Sequence, residues 1–397
     1  MIGSFKYGWF KVDSSTTPSF LYYTKYTYNY EILGGALNDN YGTTVAISTG
    51  GDIWCTGTPN FNSGSLTDAG IIEFYRNGVP FTSIVGTGAG SYFGRTIAMN
   101  ASGSRIVTNR FYSISRVYRH TGSSYAQLGN DIDFTNFYPS HYSMNGSGDI
   151  YAAGYVGAPN QVDFYGQVRV FELSSNVWTQ RGLPIIGLSA SRLGACAINK
   201  AGNILATGAP YSYNISTLVG SVCTFEWSGS SWNIKGNPLF GLEKERFGYS
   251  VALNYEGTRL AVGVPGRTST SGGSGQVLVY EWTGSDWSQM GSSIQAPLSG
   301  NASFGYSISM NAAGDLLIIG VPGTSIGGQS SVGSTHIFQW YQNNWVNYVP
   351  VISGAASDQL GTSVAMDGVG NHIVVGNQGY DSGGVNQRGR ALYYTLT

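Results

Sequence analysis

The chain has 397 residues, 42% of them hydrophobic and 14% aromatic, yet only 10% are charged and the formal net charge is −1. That balance removes the electrostatic case for nucleic acid or for an anionic membrane surface as partner. No stretch is apolar for long enough to insert in a bilayer, and the start, MIGSFKYGWFKVD, lacks the apolar core and cleavage site of a signal peptide, whereas the abundance of Gly, Ser, Asn and Tyr suggests a virion or extracellular surface.

In chain order, residues 1–27 form an extension ahead of one domain over 28–397, and residues 1–19, with Phe5, Tyr7, Trp9 and Phe10, have no place in any repeat. From Tyr41-Gly42 onward one unit recurs seven times, opening at 42, 94, 139, 194, 248, 305 and 361, at intervals of 45 to 57 residues. The cleanest copy is 245–291. Its run Ser250-Val251-Ala252-Leu253 predicts a strand, closed by a turn of Asn254, Tyr255, Glu256 and Gly257, where Asn and Gly tolerate positive φ. Residues 260–264 (LAVGV) contain no polar side chain, as a strand buried on both faces should read, and Pro265 ends it by withholding a ladder N–H. After a Gly/Ser/Thr loop, residues 276–282 (QVLVYEW) predict a third strand, and residues 286–290 (DWSQM) start a fourth.

Four strands this short cannot bury both faces alone, so the copies must stack on one another. The fold expected is all-β, a seven-bladed β-propeller of four-stranded antiparallel blades. The last copy supplies strands at 362–366, 372–375 and 391–396 and stops one short. Residues 28–34 precede the first opening as 287–291 precede Phe304-Gly305, so they are expected to complete the last blade and close the ring by joining the N- and C-terminal strands. Residues 21–24 (LYYT) match 392–395 (LYYT) and compete for the third strand there; Arg388-Gly389-Arg390 leads into the C-terminal segment as Gly275-Gln276 does elsewhere, which favours it.

Phe-Gly opening one strand and Gly-x-Pro closing the next resembles the FG-GAP repeat of the integrin α-subunit propeller, in its shorter variant, over residues 28–397. Gly-x-Pro stands in four copies (Gly57-Pro59, Gly208-Pro210, Gly263-Pro265, Gly320-Pro322) and is lost at Asn109, Gly154-Tyr155 and Gly376-Asn377. The weakest opening is Tyr138-Pro139. Kelch repeats would place a double Gly after each second strand, and WD repeats a Trp-Asp at the end of the third; neither pattern is present. The resemblance implies a propeller used for interaction. Its calcium loops, Asp-x-Asp-x-Asp-Gly, have no counterpart in the turns at 199–202, 254–257, 311–314 and 367–370, so no metal or other cofactor is expected.

The repeats also filter the chemistry, because a residue recurring in register is structural. Glu73, Glu172, Glu226 and Glu281 read as one position of the third strand, and Asp52, Asp149 and Asp315 as turn residues. His120, His141, His336 and His372 fall at different repeat positions, without the convergence a zinc site needs. Cys196 and Cys223 lie on the first and third strands of one copy, roughly 9–10 Å apart, beyond disulfide reach. Asn100, Asn145, Asn214 and Asn301 begin Asn-x-Ser sequons.

What breaks the repeat lies in the loops between second and third strands and in the blade connections, which share one end of a propeller. Candidate binding residues there are Phe111, Tyr112, Phe164, Tyr165, Tyr211, Tyr213, Arg246, Arg267 and Tyr380, since aromatic and Arg side chains anchor interfaces. No Gly-x-Ser-x-Gly elbow or phosphate-cradling Gly loop occurs, and no catalytic residue is assigned. The expected function is a non-catalytic structural or adhesion module with a protein partner. A lectin-like glycan binder is the alternative, requiring equivalent groups in several blades. A propeller glycoside hydrolase would require carboxylates converging on the central channel.

Overall fold

Each copy alternates short apolar runs with Asn/Gly turns, and the chain responds by folding into hairpins. A computed structural model describes residues 26–396 apart from 37, 112, 135, 136, 138, 157–164, 189, 215, 216, 244, 267–273, 296–302, 327 and 381–386. In the fifth copy Ser250–Leu253, Arg259–Val264 and Gln276–Trp282 pair antiparallel in that order, with Trp287–Gln289 outermost. Seven such sheets form, and the described residues contain no helix. The first strands (Thr44–Ile47, Ile97–Met99, Pro139–Met144, Ala195–Ile198, Ser250–Leu253, Ser307–Met310 and Ser363–Met366) each touch the first strand of both neighbours, and the series closes on itself. This is a seven-bladed β-propeller with those strands around its axis.

The ring closes through the termini. Tyr26–Leu33 pairs antiparallel with Arg390–Leu396 as the outer strand of blade 7, starting two residues ahead of the segment expected. Glu31 meets Arg390 at 2.7 Å, and Tyr28 and Tyr30 pack on Tyr394 and Tyr393. The third strand of that blade is the C-terminal segment; its rival at 21–24 lies outside the described residues.

The second strand of blade 6 carries no polar residue because it serves two cores at once. In Leu316–Val321, Leu317 and Ile319 pack with Val277 and Val279 of blade 5, while Leu316 and Ile318 pack with Val364 and Ile373 of blade 7. Leu317, Ile318 and Ile319 are fully buried, each contributing about 1.5–3 kcal/mol relative to exposure.

Two devices hold blade to blade. At the loop end, the aromatic or Leu of six described openings forms a parallel bridge to the Gly that precedes the third strand of the blade before, as Phe247 does to Gly220 and Phe304 to Gly275. The opening Gly then presses its carbonyl on the Gly of the preceding blade's second strand: Gly57 under Gly94, Gly154 under Gly194, Gly208 under Gly248, Gly263 under Gly305, Gly320 under Gly361 and Gly376 under Gly42, with no room for a Cβ. In blade 2 the position of the second-strand Gly is held by Asn109. There Asn109 is buried and uses its amide to bond the Tyr92 carbonyl at 2.8 Å.

At the turn end, the backbone N–H of Thr49 bonds the carbonyl of Ala101, and the pattern runs on through Gly146, Lys200, Tyr255, Ala312 and Gly368 back to Thr49, each bond 2.8–3.2 Å long. Seven turns are thus linked head to tail in a closed hoop. The residue before each hoop residue, Asn in five blades with Ser48 in blade 1 and Asp367 in blade 7, holds its own turn. Asn311 Oδ1 accepts from the N–H groups of Gly314, Asp315 and Leu316, and its Nδ2 donates to Asp315 Oδ1 at 2.7 Å. Asn145, Asn199 and Asn254 act alike. Positive φ falls on the turn Gly, such as Gly314 at 77°, and not on these Asn residues; a local capping bond, not tolerance of left-handed backbone, is what the position requires. Asn100 and Asn145 are buried with their amides engaged, so these two sequons are closed to modification in the folded chain.

The fourth strand is continuous in blade 1 (Val79–Val85) and broken in blades 2 to 6, where a short second piece, such as Ile294–Gln295, rejoins the third strand. The break falls at Gly129, Gly182, Gly236 and Gly291, all at positive φ, where indoles of the next blade press in. Trp residues of the following blade also donate backwards: Trp178 Nε1 to Leu128, Trp232 to Arg181 and Trp345 to Met290 carbonyls.

Strand register corrects one expectation. Arg259 pairs with Glu281, Ile150 with Glu172 and Ile204 with Glu226, but the equivalent residue of blade 1, Ile53, pairs with Arg76. Glu73 stands three residues earlier, opposite Thr56. The three in-register glutamates make cross-strand or hairpin ion pairs with Arg181, Lys235 and Arg259. Glu73 instead lies by Tyr41 and Tyr75 at the contact of blades 7 and 1, where burial, and then the nearby Asp39, raises its carboxyl above the usual range.

Candidate interaction surface

The loop end gathers the residues that break the repeat. Tyr213 is exposed on a small hairpin, Tyr213–Asn214 with Thr217–Leu218, and Tyr165 is exposed beside Gly166. The other described candidates are packed into the surface. Phe111 is half-buried beneath Arg110, at 5.3 Å, and against Gly88. Tyr380 carries Arg390 over its ring at 4.1 Å. Tyr112, Phe164 and Arg267 lie outside the described residues.

Of the candidates, Tyr211 and Arg246 come together. The Arg246 guanidinium lies 5.7 Å from the Tyr211 ring, and Arg192, which sequence reasoning passed over, lies 4.6 Å from it. Next to them Tyr249 and Tyr306 pack ring to ring at 5.2 Å. These two tyrosines immediately precede Ser250–Leu253 and Ser307–Met310, so the cluster sits at the loop end of the strands that surround the axis. Burial, and then the neighbouring Tyr306, raises the Tyr249 phenol, which stays neutral as a hydrogen-bonding group. At the opposite end the Tyr255 hydroxyl bonds Thr49 Oγ1, reaching from the turn of blade 5 to that of blade 1, with Lys200 Nζ 5.1 Å from its ring.

A second feature of the loop end was not found from the sequence. The residue paired with the first position of the third strand is polar and exposed in blades 2, 5 and 6, as Asp133, Gln295 and Ser353. In the adjacent blades 3 and 4 it is Ile186, 67% exposed, and Phe240, 48% exposed. Two residues on, Leu188 and Leu242 are 70% and 63% exposed, and Leu183 extends the same rim. The runs LPIIGL and NPLFGL look like buried strands; only comparison with their repeat equivalents shows that their second apolar residue faces solvent.

Metal and disulfide chemistry are not assembled here: among the described residues no three His, Cys, Asp or Glu side chains converge, and all three cysteines are free thiols. No described helix is long and apolar enough to cross a membrane.

No protein-family model matches the sequence, and no curated protein matches it. Among solved structures, hydrazine synthase from Kuenenia stuttgartiensis is similar, with a TM-score of 0.58 at 11% identity, covering 86% of this chain and 93% of that one. The chain is a β-propeller. At that identity the likeness speaks for the fold alone.

Proposed function

We propose that this propeller is a non-catalytic interaction module of FG-GAP type, which docks another protein on the apolar rim of blades 3 and 4. The observation that carries this reading is the pair Ile186 and Phe240 with Leu188 and Leu242, exposed where blades 2, 5 and 6 place Asp133, Gln295 and Ser353, whereas blade 1 has the less exposed Val85. Contiguous exposed apolar surface is rare on free monomers and marks contact sites. The repeat does not need these side chains, since the same backbone pairing forms in blades 2, 5 and 6 without them. The FG-GAP reading is supported by the Phe/Leu-Gly latch, whose glycine contacts recur at six of seven blade junctions. The test uses the internal symmetry of the ring. A photo-crosslinking amino acid at position 186 or 240 should yield a discrete adduct in the producing cell, and the same group at 295 or 353 should not. Equal adducts at all four positions, or none, would sink the docking reading.

A further inference from the structure

The Arg192, Tyr211, Arg246, Tyr249 and Tyr306 cluster is a separate feature from the apolar rim, and it carries its own inference. Position for position, the residue before the opening aromatic or Leu is Asn40, Tyr92, Ser303 or Gln359 in other blades; Arg occupies it in the adjacent blades 4 and 5. Two residues after that opening aromatic or Leu, Tyr is found in the adjacent blades 5 and 6, where blades 1, 2 and 7 have Thr43, Arg95 and Thr362. The result is two guanidinium groups converging on one phenol, flanked by a tilted pair of tyrosines, at the loop end of the strands that surround the axis. The Arg246 Nε is buried and has no hydrogen-bond partner among the described residues, an uncompensated donor inside the cluster. Glu245, next to Arg246 in the chain, accepts from the Leu242 N–H and the Gln276 amide.

Guanidinium forks match carboxylates in geometry and charge, and aromatic rings beside them offer flat apolar faces with hydroxyls at their edge. A ligand that uses both has a carboxylate attached to a ring with apolar C–H faces and hydroxyl groups. We propose that this cluster is a binding site for a carboxylated sugar, a hexuronic or sialic acid residue, whose carboxylate is taken by Arg192 and Arg246 and whose ring rests on Tyr211, Tyr249 and Tyr306. The inference stands apart from the docking rim and survives its failure.

The test is calorimetric titration of the full-length protein with sodium glucuronate and with N-acetylneuraminate, against glucose (ring without the charge) and acetate (charge without the ring). Saturable binding is expected for at least one acidic sugar, with glucose and acetate at least about tenfold weaker. Arg246→Gln and Arg192→Gln should each cost about tenfold or more in affinity, and Arg246→Lys should not restore it, because a point charge does not replace the fork. Tyr306→Ala, which leaves both cations in place, should also weaken binding while the thermal midpoint is kept; it carries the test if an Arg variant fails to fold. Absence of saturable binding by both acidic sugars overturns the proposal. So does acetate binding as tightly as glucuronate, which would mark a plain anion or acidic-peptide site, and so do folded variants with wild-type affinity.

Discussion

Replacing Asn311 by Ala probes the turn-end staple directly. The side chain is buried, and its Oδ1 is the acceptor for the N–H groups of Asp315 and Leu316 at 3.0 Å each, while Gly314 N–H also reaches the Asn311 carbonyl at 3.1 Å. Alanine therefore orphans two backbone donors. An unmet buried donor costs about 1–3 kcal/mol, but Asp315 is partly open to water, so the expected loss is about 2–4 kcal/mol in total. For a chain of this length that is about 2–5 °C in thermal midpoint. The assay is differential scanning calorimetry of Asn311→Ala beside Ser228→Ala, a change in an exposed turn that should be near neutral. If the two variants melt together, the Asn positions are not what holds the turns in the hoop.

Three further outcomes follow from other parts of the fold. Removing residues 1–33 deletes the outer strand of blade 7 and exposes the edge of Arg390–Leu396, so unfolding should become broad and begin earlier; a truncated chain that melts as sharply and as high as the full one contradicts closure through the termini. Burial pushes the His141 and His336 imidazoles down to about 4, so both are neutral in the fold and take up protons on unfolding below their ordinary range. Stability should be lost as pH falls from about 6.5 toward 4, by roughly 4 kcal/mol at pH 5 from the two together, and His141→Gln with His336→Asn should flatten that slope; an unchanged pH profile refutes it. Chelation with EDTA should leave the melting midpoint within about 1 °C, and a clear drop would reveal a metal the turns hold.

How far the sequence carried the fold can be seen in particular residues. The seven openings, the apolar second strands and the borrowed strand before Gly34 are visible because each obeys a period or a turn rule that the backbone enforces locally. The meaning of the exceptions is not local. Asn109 looks like a plain loss of the repeat Gly; only the structure shows it buried with its amide donating to the Tyr92 carbonyl. Glu73-Phe74 imitates the Glu281-Trp282 motif, but the true equivalent is Arg76-Asn77, and cross-strand register decides between them. Ile186 and Phe240 satisfy the pattern of a core strand and nonetheless face solvent, since a two-residue edge strand buries one side chain and exposes the next. Tyr211 and Arg246 were visible as loop residues, whereas Arg192, Tyr249 and Tyr306 were hidden inside the opening motif that marks the repeat.

The most direct test of the interaction reading is side-chain footprinting by hydroxyl radicals, comparing the purified chain with the same chain in extract of the cell that makes it. Ile186, Leu188, Phe240 and Leu242 should be oxidised readily in isolation and protected in extract, while Val177 and Val369, exposed elsewhere on the ring, should label equally in both. Equal labelling of the rim in both conditions, or protection confined to the other exposed residues, would contradict the claim that blades 3 and 4 form the docking face.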